Sequence, residues 1–198
     1  MADVLIIPGL GGSGEHHWQT HLERSHPGAE RVYQDDWDNP QLAYWLDRVA
    51  AVVERTPGAI LVAHSLGCPL VAHLAHRRPR LPIEAALLVA PADVDSVRHT
   101  PEHIRAFAPI PLERLPFRSI VVGSRNDPYM SFARAREVAF AWGAGFVDAG
   151  AVGHINVDSG FGPWPDGERL LTQLIGAPNA KPEMPPRELE QTAARRSG

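Results

Sequence analysis

The sequence predicts a three-layer α/β/α fold around a doubly wound, mostly parallel sheet of six strands. Short apolar runs alternate with longer amphipathic segments, which is typical of a parallel sheet covered by helices. Several runs, such as Ile60-Leu61-Val62-Ala63, are continuously apolar, as strands buried on both faces are. The 198 residues suffice for one domain with a substantial core and are too few for two ordinary ones.

Strands and helices are predicted in alternation. The strands are expected at 3–8, 30–34, 59–63, 85–90, 118–123 and 145–148. The helices are expected at 15–25, 40–55, 66–78, 101–107, 131–142 and 165–175. Asn39-Pro40 favours the start of the second helix, and Ser131 is a typical N-cap for the fifth. We expect the strand order 2-1-3-4-5-6, in which strands 1 and 3 are neighbours at the topological switch point.

The domain boundary is predicted near Ala177, where the chain becomes Pro-rich and polar. We assign residues 1–176 to one catalytic domain and residues 177–198 to a mobile C-terminal tail.

Composition excludes several classes of function. The net charge is −4, Lys181 is the only lysine and the arginines are scattered, so we expect no nucleic-acid partner. The single cysteine, Cys68, excludes a disulfide framework and a thiolate zinc cage. No window approaches the roughly 20 apolar residues of a membrane span. The chain begins with a strand rather than a signal peptide, so we expect a cytoplasmic protein without membrane contact.

The most informative motif surrounds Ser65. A buried strand runs into Ala63-His64-Ser65-Leu66-Gly67, a small-x-Ser-x-Gly turn, and a helix follows at once. A hydroxyl is a weak nucleophile that must stand exposed beside a base, and such a sharp turn exposes it. Ala63 replaces the usual first glycine, a departure of one methyl group. The competing interpretation of Ser65 is a helix N-cap, but the strand before it favours a nucleophile.

A glycine-rich loop follows the first strand, at Gly9-Leu10-Gly11-Gly12-Ser13-Gly14. We expect the backbone amides of Leu10 and Leu66 to form an oxyanion hole, with Gly9 bordering the substrate. The alternative is a dinucleotide phosphate loop, but the third glycine of that fingerprint is missing. Asp35 and Asp36, which follow strand two, keep this alternative open.

Asp127 and His154 are the candidates for the acid and the base. Asp127 ends the fifth strand, where a carboxylate can orient a histidine, although Asn126-Asp127-Pro128 also suits an Asx turn. His154 stands in a glycine-bounded loop and completes the chain order Ser, Asp, His. Of the other histidines, His17 and His21 have a metal-compatible spacing without the glutamate of a metalloprotease helix. We expect no metal ion and no cofactor.

The remaining histidines receive simpler interpretations. His64 precedes the nucleophile, and its side chain should point away from that of Ser65. Four more are expected at the surface: His73, His76, His99 and His103, whereas His16 and His26 lie near the first predicted helix.

These motifs resemble the small serine-hydrolase family that includes retinoblastoma-binding protein 9 and its bacterial relatives. The similarity spans nearly all of residues 3–175. It covers the Ser65 motif and the following segments: Pro8-Gly9, His17-Trp18, Gln34-Asp35-Asp36-Trp37, Trp45, Asn126-Asp127-Pro128, Gly153-His154-Ile155-Asn156, Ser159-Gly160 and Gly162-Pro163-Trp164-Pro165.

The resemblance implies a minimal α/β-hydrolase without a large lid, with a catalytic triad of Ser65, Asp127 and His154. It also suggests that Trp37 and Trp164 line the substrate pocket, although core packing is the better interpretation of Trp37. Cys68 is expected to be a small buried residue rather than a second nucleophile.

The sequence therefore predicts a serine hydrolase that cleaves carboxylic esters, or amides, of small acyl substrates. An acyltransferase or perhydrolase would use the same residues. The alternative from another class is a catalytically weak protein of the same fold that acts as a binding module. The sequence identifies no protein partner.

Overall fold

The sheet of this protein is parallel throughout. The computed structural model describes residues 3–176, so the tail predicted for 177–198 lies outside the described residues. The strands are β1 (Val4–Ile7), β2 (Ala29–Arg31), β3 (Ala59–His64), β4 (Ile83–Val89), β5 (Arg118–Gly123) and β6 (Gly145–Asp148). Their order is β2-β1-β3-β4-β5-β6, and every neighbouring pair is parallel. The predicted strand order is thus confirmed.

The helices cover both faces of this sheet. They are α1 (Trp18–Ser25), α2 (Leu42–Arg55), α3 (Gly67–Arg77), α4 (Phe132–Trp142) and α5 (Pro165–Gly176). Ser131 caps α4, because its hydroxyl accepts a hydrogen bond from the Arg134 amide. The start predicted for α2 at Pro40 is wrong by two residues.

The helix predicted over 101–107 is present, but as a 3₁₀ helix at Glu102–Phe107 rather than an α-helix. Pro101 precedes this segment and Pro109 follows it closely, which leaves room for only a short helical piece. Two further 3₁₀ turns, at Leu10–Gly12 and Val157–Ser159, lie in the loops after β1 and β6.

The core divides into two layers, one on each face of the sheet. Alternate residues of β3 point to opposite layers, so Leu61 packs beneath α2 and α3 while Val62 packs beneath α1 and α5. Both faces are covered, which explains why the central strands are continuously apolar. At roughly 25 cal/mol per Å² of buried apolar surface, these two layers supply most of the stabilisation of the fold.

His73 corrects the expectation that it lies at the surface. It sits on α3, is buried, and forms a 2.6 Å hydrogen bond from its Nε2 to the Phe107 carbonyl. His76, one turn later, is exposed as expected.

The carboxyl ends of parallel strands lie at one edge of the sheet, where the loops after β1, β3, β5 and β6 meet. The described chain forms no large lid over this edge. None of the helices in residues 3–176 has the length and apolar character that crossing a membrane requires.

Candidate active site

Ser65 occupies a strained turn between β3 and α3. Its φ is 54°, in the left-handed region that residues other than glycine, asparagine and aspartate seldom adopt. Such a conformation costs on the order of 1–3 kcal/mol and persists only where the surrounding structure enforces it. Close packing contributes to this. The start of α3 lies so near β1 that a Cβ on Gly67 would collide with the Ile7 carbonyl oxygen. Ala63 fits fully buried within β3, so the departure at this position is accommodated.

Ser65, His154 and Asp127 are joined by hydrogen bonds, although they are far apart in sequence. The Nε2 atom of His154 lies 2.9 Å from Ser65 Oγ. The Nδ1 atom lies 3.0 Å from each carboxylate oxygen of Asp127. The side chains of His154 and Asp127 are only 7% and 3% exposed, so solvent screens their interaction weakly. The structure therefore brings together the three residues predicted from the loops after β3, β5 and β6.

The partners of His154 determine which of its ring nitrogens carries the proton. A carboxylate only accepts hydrogen bonds, so Nδ1–H donates to Asp127. The lone pair of Nε2 then accepts the Ser65 hydroxyl proton. This is the tautomer in which a neutral imidazole can act as a general base toward the serine.

The predicted oxyanion residues lie beside the serine. A Cβ on Gly9 would lie 2.8 Å from Ser65 Cβ and 3.0 Å from the Leu66 nitrogen, so the loop after β1 passes directly against the serine turn. Within residues 3–176, neither the Leu10 amide nor the Leu66 amide donates a hydrogen bond. Two amides left free in this way can donate to a negatively charged oxygen.

Arg31, on β2, supports this loop and was not found by sequence reasoning. Its buried guanidinium donates to the Ser13 carbonyl at 2.8 Å, and also to the Gly12 carbonyl. Thr20 of α1 donates its hydroxyl to the carbonyls of Ser13 and Gly14 at 2.9 Å. These hydrogen bonds hold the loop in place and thereby fix the position of the free Leu10 amide. An arginine in a three-residue edge strand gives no local signal of this role.

Two further residues hold the His154 loop. The His154 amide donates to Ser159 Oγ at 3.0 Å, and the Gly153 amide donates to Asn126 Oδ1 at 2.7 Å. The Tyr129 ring lies against the His154 ring, with 4.4 Å between centroids. Asn126 and Ser159 belong to motifs quoted above, but sequence reasoning assigned neither of them a role.

Two of the three linked residues, Ser65 and His154, border an open cavity of about 290 Å³. Its walls come from the loops after β1 and β6, from the segment between β4 and β5, and from Tyr129. The lining residues are Leu10, Gly11, Ser13, Gly14, His17, His64, Ser65, Ala92, Pro101, Ile104, Tyr129, His154, Asn156, Val157 and Asp158.

The structure places Trp164 away from this cavity lining. Its ring packs edge-to-face on Trp18, with 5.1 Å between centroids, and lies over Gly167. Trp37 packs in the same manner on Trp45, at 5.5 Å, in the opposite core layer. Both tryptophans thus have packing roles. Gly9 is also absent from the cavity lining. Its lack of a side chain lets the loop after β1 approach Ser65 closely.

The buried histidines His17 and His64 form one wall of the cavity. The Nδ1 atom of His17 accepts the Gln19 amide at 3.2 Å and thereby caps α1. Burial lowers the pKa of His17 to about 4, with smaller contributions from Arg31 and His154. Burial also holds the pKa of His64 well below its ordinary value, assisted by the neighbouring His154 and His17. Both rings are therefore neutral near pH 7.

Among the described residues, no three or more His, Cys, Asp or Glu side chains are grouped to hold a metal ion.

Cys68 is buried in the first turn of α3, and its Sγ donates to the Val89 carbonyl at 3.4 Å. Burial raises the pKa of this thiol well above its ordinary value. A thiol of this kind is a poor nucleophile, because the thiolate is the reactive form.

The all-parallel sheet, its strand order and the helices on both faces define the α/β-hydrolase fold. Sequence comparison is more specific, because residues 4–173 match the Serine hydrolase family. The chain belongs to that family.

Solved structures include several similar proteins. A putative YdeN-like hydrolase of Pectobacterium atrosepticum is 33% identical with a TM-score of 0.78, over 88% of this chain and 90% of that one. The ydeN gene product of B. subtilis is 21% identical with a TM-score of 0.72, over 89% and 100%. Est1E of Butyrivibrio proteoclasticus, solved with ferulic acid bound, shares the fold at 13% identity with a TM-score of 0.67, over 89% and 90%. No curated protein matches the sequence significantly.

Proposed function

We propose that this hydrolase cleaves carboxylic esters of small acids through an acyl-enzyme on Ser65. The observation that carries the proposal is the unbroken hydrogen-bond chain from Asp127 through His154 to Ser65, at the floor of an open cavity. Amides are a second possible substrate type for the same residues.

In the proposed mechanism, Ser65 Oγ attacks the ester carbonyl carbon while His154 Nε2 takes the hydroxyl proton. His154 then gives that proton to the leaving alcohol, and the acyl group remains on Ser65. A water molecule, deprotonated by His154, releases the acid and restores the serine. Asp127 stabilises the imidazolium that forms in each half-reaction. The Leu10 and Leu66 amides stabilise the oxyanion, and loss of one such donor typically costs about 3–4 kcal/mol.

The cavity lining favours an uncharged acyl group. Its apolar members include Leu10, Ala92, Pro101 and Ile104, and within the described residues its one carboxylate is Asp158. The lining has no lysine or arginine among the described residues that could pair with an anionic substrate, and its buried histidines are neutral near pH 7. We therefore expect butyrate esters to be better substrates than the matched hemisuccinate esters.

A fluorophosphonate probe tests the proposal directly. The wild-type protein should gain one adduct by intact mass, Ser65→Ala should gain none, and His154→Ala should react far more slowly. Ser131→Ala, which removes the cap of α4 outside the site, is the matched control and should react like wild type. A folded wild-type protein that gains no adduct would refute the proposal and favour the binding-module alternative.

Turnover separates the remaining possibilities. We expect hydrolysis of p-nitrophenyl acetate and butyrate, and little activity on p-nitrophenyl hemisuccinate. A feruloyl ester belongs in the panel because Est1E, which shares the fold, binds ferulic acid. Anilide analogues test amide cleavage, and added methanol or hydrogen peroxide tests acyl transfer to acceptors other than water.

A further inference from the structure

Three aromatic side chains pack behind the turn that carries His154, and the mechanism above does not use them. This ring cluster consists of His17, Trp18 and His64. The centroids of His17 and His64 are 4.8 Å apart, those of His17 and Trp18 are 5.5 Å apart, and those of Trp18 and His64 are 6.0 Å apart. All three side chains are buried. The His64 ring also lies 4.8 Å from the His154 ring.

The turn they contact is strained at Ile155, the residue after the proposed base. Its φ is 50°, a conformation in which β-branched residues are genuine outliers. A backbone of this kind is strained and persists only where surrounding contacts hold it in place.

The ring cluster supplies those contacts on both sides of Ile155. His64 Nε2 lies 2.9 Å from the carbonyl oxygen of His154, and Trp18 Nε1 donates to the carbonyl oxygen of Ile155 at 2.9 Å. These two carbonyls belong to the peptide groups that flank the Ile155 Cα. Their orientations define the φ and ψ of Ile155, so the two ring nitrogens fix the strained conformation directly.

We propose that His64 and Trp18 are positioning residues that hold the His154–Ile155 backbone so that His154 Nε2 stays on Ser65 Oγ. The proposal rests on the proposed function, because it concerns the same base. Trp18 of the His17-Trp18 motif and His64, the histidine before Ser65, thereby each receive a role. His64 acts through the backbone of His154 and takes no proton from the substrate.

The bond to His154 requires a particular form of His64. A carbonyl oxygen only accepts, so the proton of a neutral His64 must lie on Nε2. The groups that face this ring are His17, Trp18 and His154, and burial keeps the pKa of His64 low. A neutral His64 avoids charge repulsion with the imidazolium that His154 becomes during the reaction.

His73 provides a matched control for a purely structural role. It is also buried, and its Nε2 also bonds to a backbone carbonyl, that of Phe107, at 2.6 Å. It does not line the cavity. A change at His73 therefore removes the same kind of hydrogen bond without disturbing the His154 turn.

The experiment compares His64→Gln and His64→Met with His73→Gln and His73→Met. Glutamine keeps an N–H donor near the Nε2 position, whereas methionine keeps the length and loses the donor. The readouts are kcat and KM for p-nitrophenyl butyrate and the free energy of unfolding in urea.

We expect His64→Met to lower kcat about 10- to 100-fold with KM little changed, the loss expected when a reacting group is displaced by about 1 Å. His64→Gln should recover most of kcat, and both His73 variants should keep kcat within about twofold even if less stable.

Equal kcat values in folded His64→Met and wild type would overturn the proposal. It would also be overturned if the kcat of His64→Gln were no higher than that of His64→Met. Trp18→Phe is the second variant, because it keeps a ring and removes only the Nε1–H donor; it should lower kcat in the same way. The failure of the proposed function has a different signature, namely a wild type without turnover or fluorophosphonate adduct.

A measurement on wild type does not depend on any variant folding. In protein labelled with ¹⁵N-histidine, His64 should show the neutral Nε2–H tautomer from pH 6 to 9. A proton on Nδ1, or a cationic ring at pH 7, would contradict the assigned bond.

Discussion

Gly9 lies so close to Ser65 that a Cβ at position 9 would be 2.8 Å from the serine Cβ. The φ of Gly9 is −91°, which any residue can adopt, so the requirement for glycine here is one of space rather than of backbone conformation. The Cβ would also meet the His64 carbonyl oxygen at 2.9 Å. The loop after β1 and the serine turn are thus in direct backbone contact.

Gly9→Ala should therefore push the Leu10 loop away from Ser65. We expect kcat for p-nitrophenyl butyrate to fall by at least about 100-fold, since one oxyanion donor is worth about 10²–10³ in kcat. Gly145→Ala is the control, because a Cβ there makes only ordinary contacts beyond 3.4 Å. Wild-type kcat in Gly9→Ala would show that the loop does not serve the oxyanion.

Asp127→Asn should remove the carboxylate that holds the proton on Nδ1 of His154. The asparagine amide can donate to Nδ1, which favours the wrong tautomer, and we expect kcat to fall by about four orders of magnitude. Steady-state kinetics and the fluorophosphonate labelling rate both report this loss. Asp47→Asn, which breaks an exposed pair with Arg78, should leave both rates unchanged. A small loss in Asp127→Asn would exclude the proposed orienting role.

The Cys68 thiol should be inert in the folded protein and reactive in the unfolded one. Burial raises the pKa of this thiol well above its ordinary value, which keeps it protonated, and it also puts the sulfur out of reach of reagents. Titration with Ellman's reagent should detect no thiol under native conditions and one per chain in guanidinium chloride. Iodoacetamide should leave ester hydrolysis unaffected, and inhibition at native pH would indicate that the cysteine takes part.

Protonation of His17 should destabilise the fold in acid. Its pKa is about 4 in the folded protein and 6.5 when unperturbed, so between these values the unfolded chain binds more protons. The free energy of unfolding should therefore fall as pH drops from about 6.5 to about 4, by on the order of 3 kcal/mol from this group.

His17→Asn should reduce that pH dependence, since asparagine can still cap α1 without titrating. Urea unfolding at a series of pH values measures the difference between variant and wild type, which removes the contribution of carboxylates that titrate in the same range. Phe140→Ala, at an exposed residue that does not titrate, is the control and should keep the wild-type dependence of the free energy of unfolding on pH. If the free energy of unfolding depended on pH equally in His17→Asn and wild type, His17 could not be a buried neutral group.

Much of the architecture could be predicted because its signals are local. Continuous apolar runs such as Leu61-Val62-Ala63 are typical of central strands buried on both faces, and the alternation of strands and helices indicates a parallel sheet. The residues now found linked by hydrogen bonds, Ser65, Asp127 and His154, each follow a predicted strand, and parallel strands bring their carboxyl ends together.

The relationships that sequence reasoning missed join distant segments. Trp18 bonds to Ile155 across 137 positions, and nothing near either residue signals the contact. Trp164 was expected in the pocket because it is close to His154 in sequence, whereas its ring packs on the distant Trp18. His73 was expected at the surface, whereas it bonds to the Phe107 carbonyl 34 positions later and is covered by that segment.

The segment between β4 and β5 supplies Ala92, Pro101 and Ile104 to the cavity, whereas Ser65, Asp127 and His154 follow other strands. Part of the cavity wall and the reacting groups thus lie on separate stretches of chain, although the Ala92 amide still donates to the Ser65 carbonyl at 3.3 Å. Pro101 and Ile104 could be exchanged for side chains of other sizes, and we expect such variants to change which acyl group is accepted while the Ala92 bond to the serine turn is kept. A small library at these two positions is accordingly a direct starting point for redesigning what the enzyme accepts.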